Sequence, residues 1–287
     1  MLNILITGAN GQLGNELRQC CGDSANNYLF TDIAELDIAN AEAVQQYIRD
    51  NKIDVIVNCA AYTQVDRAEE EVDLADRINC HAVANLALAA TQNRATLIHI
   101  STDYVFAGTA RTPYTEDAIA MPTTVYGRTK LAGEEAVRQS GCDYLIIRTA
   151  WLYSTFGNNF VKTILRLTTE RERLQVVADQ TGSPTYAADL AAVIHHIIEQ
   201  KKYQESKGTY HYTDEGVCTW YDFATEIAQQ ANRTHCRITP CSTDEYPTKA
   251  HRPAYSVLDT AKIKKTFGIQ IPAWQESLTK CLKKLEK

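Results

Sequence analysis

The chain has 287 residues, 45% hydrophobic and 22% charged, with a net charge of −6. That length is enough for one or two domains with a well-buried core, and the acidic balance excludes the basic stripe that a nucleic-acid partner requires. No apolar run reaches the roughly 18 residues of a membrane span.

In chain order, Leu2 to Thr7 is a β-branched apolar run that ends at a glycine, and Leu13, Leu17 and Cys20 then recur at helical spacing. Tyr28 to Phe30 is a second short strand, and Ala43, Val44, Tyr47 and Ile48 form another helical face. Ile53 to Val57 is a third strand, followed by a long Ala- and Leu-rich stretch from about Asp66 to Asn93. Thr96 to Ile100 and Tyr144 to Ile147 are further strands on either side of a helix from Val125 to Gln139. Continuous apolar strands alternating with helices predict an α/β fold, a Rossmann-type doubly wound parallel sheet covered on both faces.

After Trp151 the pattern changes. Val176-Val177 and Thr209 to Tyr212 are isolated strand candidates, and Leu190 to Ile198 and Phe223 to Ala231 look helical. We therefore expect a dinucleotide-binding domain over residues 1–150 and a smaller, interleaved C-terminal substrate-binding lobe over 151–287, with elements from about 187–214 returning to the sheet. The stretch Leu2-Asn3-Ile4-Leu5-Ile6 lacks the basic flank and small-residue cleavage site of a secretory leader. Nine scattered cysteines without a Cys-x-x-Cys pair point to reduced, buried thiols in a cytoplasmic protein, with no disulfide framework and no zinc site.

Gly8-Ala9-Asn10-Gly11-Gln12-Leu13-Gly14 joins the first strand to the first helix. Glycine there permits a tight turn, close approach of backbone to a pyrophosphate, and tight helix–strand packing. The free N–H groups of the helix start then face the phosphates. Asp32, at the end of the second strand, is placed to accept from an adenosine ribose, which leans toward NADH; Arg18 nearby in sequence keeps NADPH open.

Tyr126 and Lys130 lie four apart, on one face of a helix. Tyr203 and Lys207 share that spacing, but no strand leads into them and they read as solvated surface. The first pair instead follows the strand ending in Ser101-Thr102-Asp103, beyond whose carboxyl end a ligand in a parallel sheet binds. A ketone that receives hydride becomes an alkoxide and needs a proton. Tyrosine holds one at neutral pH, and a neighbouring ammonium would lower its pKa. A drop of about 3 units, roughly 4 kcal/mol, would match donor to working pH.

Gly8 to Gly14, Asn58-Cys59-Ala60-Ala61-Tyr62-Thr63, Ser101-Thr102-Asp103-Tyr104-Val105-Phe106 and Tyr126 to Lys130 together resemble the extended short-chain dehydrogenase/reductase family. Arg148-Thr149-Ala150-Trp151-Leu152-Tyr153, Gly157-Asn158-Asn159-Phe160, Asp179 to Thr185 and Arg252-Pro253 extend the likeness over nearly the whole chain, toward the dTDP-4-dehydrorhamnose reductases. The resemblance implies reduction by NADPH or NADH of the C4 ketone of dTDP-4-dehydro-β-L-rhamnose to dTDP-β-L-rhamnose, the last step of dTDP-L-rhamnose synthesis. It implies Thr102, Tyr126 and Lys130 as the catalytic triad. The cofactor would be lined by Gly8, Asn10, Gly11, Gln12, Leu13, Asp37, Ile38, Ala60, Ala61, Tyr62 and Thr63, together with Asp32, Tyr126 and Lys130. Asp103, Tyr104 and Trp151 would meet the sugar beside Thr102 and Tyr126, with Asn159, Gln180 and Arg252 on the substrate side.

Departures from related families are informative. Sugar-nucleotide dehydratases carry Asp-Glu after the threonine, whereas Asp103 here precedes Tyr104. The Cys and His that a fucose synthase uses to epimerise have no convincing equivalent in Cys142, His99 or His195. Some members pair as homodimers through a magnesium ion held by glutamates. Glu16 matches one such position, but the next reads Ala188 with Asp189 beside it, which argues against a bridging metal. A branch of the family is a non-catalytic regulatory subunit of methionine adenosyltransferase. That role, and reduction of another nucleotide-linked keto-sugar, stand as alternatives.

Overall fold

Residues 1–286 are described by a computed structural model. The chain begins with β1 (Asn3–Thr7), α1 (Gln12–Cys20), β2 (Asn27–Thr31), α2 (Ala41–Asp50) and β3 (Val55–Asn58). Successive strand side chains point to opposite faces, so β1 needs cover on both sides. Ile4 and Ile6 join Leu13 and Leu17 of α1 in one core, and Leu5 joins Val44 and Ile48 of α2 in another. All of these but Leu13 are fully buried, and each such side chain contributes about 1.5–3 kcal/mol.

The Ala- and Leu-rich stretch then breaks into α3 (Val65–Ala68), α4 (Val72–Asp76), a π-helical turn at Arg77–His81 and α5 (Ala82–Asn93). The wide turn has a physical cause. It swings buried Asn79 inward, where its side chain accepts from the Tyr62 N–H at 2.9 Å and donates to the Tyr62 carbonyl and to Thr129 Oγ1. The chain continues through β4 (Thr96–Thr102), α6 (Val125–Gln139) and β5 (Asp143–Thr149). Thr124 caps α6 by accepting from the Gly127 N–H at 3.0 Å.

Short elements follow: β6 (Leu152–Tyr153), α7 (Phe160–Glu170), β7 (Arg173–Val177), β8 (Thr181–Gly182), β9 (Thr185–Tyr186), α8 (Ala187–Glu199), β10 (Gly208–His211), β11 (Cys218–Thr219), α9 (Trp220–Gln230), β12 (Arg237–Cys241), α10 (Ala261–Phe267) and α11 (Trp274–Leu285). The main sheet has six parallel strands in the order β10-β5-β4-β3-β1-β2. The order reverses between β1 and β3, where a doubly wound sheet opens its ligand crevice. Helix α8 packs beside α1 on one face, and α5 lies beside α2 and α6 on the other.

A third core belongs to the C-terminal part. It gathers Val161 and Ile164 of α7, Leu174 and Val176 of β7, Phe223 and Ile227 of α9, and Trp274 and Leu278 of α11. One sequence expectation fails here. Tyr203 is 4% exposed and sits in the core beneath the main sheet, while Lys207 donates to the Cys142 carbonyl at 2.7 Å. Only the tyrosine departs from the expectation, its ring being buried in the core with residues of β10 and α8, while Lys207 is exposed.

Candidate active site

The carboxyl ends of β1, β2 and β3 open into a cleft of about 450 Å³ lined by Gly8, Asn10, Gly11, Asp32, Asp37, Ile38, Cys59, Ala60 and Ala61 among others. Gly8 has φ +64°, and a Cβ there would lie 2.6 Å from the Ala60 nitrogen. Only glycine permits both the turn and that approach. Gly11 precedes the first residue of α1 and offers it no side-chain cap, so the first N–H groups of the helix are open to an anion. Asp32 lies one residue beyond β2. Its Oδ2 accepts from the Asn10 N–H at 2.9 Å and thereby holds the turn.

Other residues expected at the cofactor lie differently. Leu13 is in the core under the sheet. Gln12 faces the C-terminal part, its Oε1 accepting from Asn159 Nδ2 at 3.0 Å. The Tyr62 hydroxyl donates to Glu71, and Thr63 is exposed.

A second cleft of about 380 Å³ is lined by Phe160, Ile164, Val176, Gln180, Trp220, Tyr246 and Arg252 among others. Gln180 is buried and donates to Thr243 Oγ1 at 3.0 Å. Arg252 spans to Asp66 at the start of α3, donating to Oδ2 at 2.7 Å. Trp151 lies behind this wall, stacked on Trp220 with centroids 3.5 Å apart. Its φ of +49° is an outlier for a bulky side chain; Gly182 makes room, since a Cβ there would meet the indole at 2.6 Å. Asn159 does not line this cleft: its side chain caps α7 and holds Gln12.

Thr102 ends β4, and Tyr126 and Lys130, expected with it as a triad, lie on α6. The Tyr126 phenol has Thr102 as a neighbour, which favours its ionised form, but loss of water around the phenol pushes its pKa well above the usual value, with Asp103 and Tyr104 adding to the rise. The expected lowering by Lys130 is not found. Nζ of Lys130 instead donates to the Ile100 carbonyl at 2.6 Å, and burial lowers the pKa of Lys130 itself to about 8, against Glu134 and Cys59, which raise it. Desolvation is thus the largest influence on the phenol.

Contacts reach from this triad to both clefts. Cys59 of the first cleft is near enough to Lys130 to act on its charge. The Tyr104 ring meets Tyr126 edge-on at 5.4 Å, and the charge of Arg252 of the second cleft acts on the Tyr104 hydroxyl, favouring its ionised form. Asp103 is buried; its Oδ1 accepts from Thr102 Oγ1 at 2.9 Å, its Oδ2 has no protein partner, and burial raises its carboxyl to about 6.

Sequence reading missed several residues that build the site. Glu134, one turn beyond Lys130, is fully buried and accepts from Ser101 Oγ at 2.5 Å, Arg148 Nε at 2.8 Å and Arg138 Nη2 at 2.6 Å. It clamps the helix of Tyr126 and Lys130 to β4 and β5. Nothing local marks it, since an acidic residue on a helix is usually solvated. Trp220 had a signal: Thr219-Trp220-Tyr221-Asp222 is a capping box that starts α9. Glu16 and Asp189 face lysines, with Lys284 at 3.9 Å and Lys280 at 4.0 Å. Among the described residues no three His, Cys, Asp or Glu side chains converge to hold a metal ion.

Comparison with known proteins adds a family. Residues 2–287 match the model of the RmlD substrate binding domain. The chain is 43% identical over 286 residues to a dTDP-4-dehydrorhamnose reductase of Aggregatibacter actinomycetemcomitans, covering 97% of each chain. A crystal structure of a dTDP-4-dehydrorhamnose reductase from Clostridium acetobutylicum superposes with TM-score 0.95 at 44% identity over 100% of both chains. The Bacillus anthracis reductase, solved in complex with NADP, superposes with TM-score 0.94 at 41% identity, covering 99% of this chain and 100% of that one.

Proposed function

The chain belongs to the RmlD substrate binding domain family, and from that premise we propose that it reduces the C4 ketone of dTDP-4-dehydro-β-L-rhamnose to dTDP-β-L-rhamnose at the expense of NADPH or NADH, closing dTDP-L-rhamnose synthesis. The protein is an oxidoreductase with a Rossmann sheet. The names of its full-length relatives favour the reductase over a methionine adenosyltransferase subunit. One arrangement carries the mechanism: a buried phenol neighbours a threonine at the end of β4, shares its helix with Lys130, and meets the ring of Tyr104 edge-on.

The first cleft suits a dinucleotide, given the cradle at Gly8 and the uncapped start of α1. Gly8, Asn10, Gly11, Asp32, Asp37, Ile38, Ala60 and Ala61 would hold it, with backbone N–H groups of Gln12 and Leu13 toward its phosphates. When bound, the nicotinamide supplies the hydride. Tyr126 gives its proton to the oxygen that forms at C4. Because burial weakens the phenol as an acid, it keeps that proton until the alkoxide, a stronger base than phenolate, appears. Thr102 orients the phenol, and Lys130 carries the adjoining positive charge. Arg252, Gln180 and the face of Trp220 would take the nucleoside diphosphate, a forked cation being the natural partner of a diphosphate. Asp103 and Tyr104 border the sugar.

On this reading residues 1–150 serve the cofactor and 151–287 mainly the substrate, with about 187–214 returning to the sheet. A cytoplasmic location is supported by nine free cysteines, and fractionation tests it; a homodimer is carried from the family resemblance and tested by sedimentation. No described helix is long and apolar enough to cross a membrane. The deciding assay follows NADPH or NADH oxidation by purified protein. Turnover on adding dTDP-4-dehydrorhamnose, and none with a UDP-linked 4-keto-hexose, is expected. No turnover, with stable capture of methionine adenosyltransferase, would establish the regulatory alternative.

A further inference from the structure

His99 lies on β4 with no exposed surface, three residues before Thr102. The reduction itself does not call on it, yet both ring nitrogens are engaged. Nδ1 lies 3.1 Å from Asn58 Nδ2, and Nε2 lies 3.5 Å from Lys130 Nζ. The proton positions follow from a donor count. The Ala60 N–H can only donate, and it points at Asn58 Oδ1 from 3.1 Å. The Thr7 hydroxyl donates to the same oxygen at 2.7 Å. Turning the amide over would set an NH2 against the Ala60 N–H, so the oxygen stays there and the Asn58 NH2 faces His99. Nδ1 of His99 must therefore accept, and the neutral ring carries its proton on Nε2. That N–H points to Lys130.

An ammonium has three donors and no acceptor. Facing the His99 N–H, only the uncharged amine can complete the contact, while still donating to the Ile100 carbonyl. We propose that His99 is a positioning residue for Lys130: locked by Asn58 as the Nε2–H tautomer, it turns a donor toward Nζ and favours the uncharged amine when the first cleft holds no cofactor. The inference rests on the reductase reading for its purpose, since it concerns how the triad lysine acquires its charge.

The other groups around Lys130 are few. Cys59 faces it from the end of β3, and Glu134 lies on its own helix; both favour the charged form. Glu134 is itself shared with Arg138 and with Arg148 of β5. Burial opposes the charge on Lys130, and burial, Lys130 and Arg138 keep His99 neutral, well below its usual pKa. The hydrogen-bond chain and the desolvation act in the same direction.

The test is nitrogen-15 NMR of histidine-labelled, cofactor-free protein, with His99 assigned as the signal lost in His99→Asn. The expected result is a neutral Nε2–H ring that does not titrate between about pH 6 and 9. A proton on Nδ1, or an imidazolium in that range, overturns the proposal, and this measurement needs no variant to be active. In parallel, the Lys130 ε-carbon is titrated in carbon-13 lysine-labelled protein, assigned by its loss in Lys130→Arg. We expect a midpoint near 8 in the parent. In His99→Asn, which keeps an amide toward Asn58 but removes the donor facing Nζ, the midpoint rises by about half a unit or more, roughly a threefold change in the amine-to-ammonium ratio. An unmoved midpoint in a folded variant overturns the proposal. Loss of sugar-nucleotide turnover with the Nε2–H ring intact would count against the reductase reading alone.

Discussion

The main sheet and the C-terminal lobe solve the same problem, holding side chains at a ligand, by opposite means. The six-stranded sheet fixes Gly8, Asn58 and Thr102 at the ends of strands whose interior residues, Ile100 apart, are buried. The lobe has only two-stranded pairs, several of two residues each, and depends on stacked rings such as Trp151 on Trp220 and Phe160 on Phe223. Long strands with dense cores resist displacement, which suits proton and hydride transfer, where small misplacements are costly. Rings and long polar side chains on short elements can be exchanged without disturbing the sheet, which suits the choice of nucleotide and sugar.

Perturbing the two regions should therefore give different kinds of loss. The largest is at the proton donor. Tyr126→Phe should lower kcat by about 10²–10⁴-fold while NADPH still binds, as read by fluorescence titration; unchanged kcat would remove Tyr126 from the chemistry. Next is the clamp behind it. Glu134→Gln strips the carboxylate from buried Arg148 and should cost about 3–5 kcal/mol of stability in urea unfolding, with activity lost through the whole protein.

Acid comes third. His211, next to β5, has its pKa lowered to about 3 by burial and by Arg148. The unfolded chain takes up that proton near 6.5 and the folded chain does not, so stability is whole above about pH 6.5 and falls toward pH 3, by about 1.4 kcal/mol per pH unit. His99 acts in the same direction. His211→Gln should flatten the decline, and an unaltered slope would show that another group sets it.

In the lobe, Arg252→Gln should raise KM for the sugar nucleotide about 10- to 100-fold, the worth of a charge-assisted bond, with melting temperature and NADPH affinity little changed. A large loss of kcat at saturating substrate would mean that the lobe shares in the chemistry after all. The smallest effect is at the cofactor rim. Asp32→Asn should move preference toward NADPH by about two- to fivefold, as expected when one partly exposed charge is removed.

The same contrast explains what could be read from sequence. Apolar runs such as Ile4 to Ile6, and the glycine spacing after them, register directly because nearly every residue of these strands is buried and each helix has one buried face. In the lobe, β6, β8, β9 and β11 are too short to show any period. β12 contains Pro240, which a central strand would exclude and which a two-stranded pair with a free edge tolerates. Helix α7 went unread although Asn159 before Phe160 is a cap signal. At the site, the Tyr126 and Lys130 spacing was legible. Their ionisation was not, because it depends on Glu134, Cys59, His99 and the loss of water, which converge only in the fold.

The most direct test of the central claim follows the hydride itself. The protein is incubated with dTDP-4-dehydrorhamnose and NADPH deuterated at the transferable position, and the product is read by NMR. One deuterium at C4 of a dTDP-rhamnose product, formed by the parent protein and nearly absent with Tyr126→Phe, is the predicted outcome. Cofactor oxidation with no deuterium in the sugar, or equal labelling by both proteins, would contradict it.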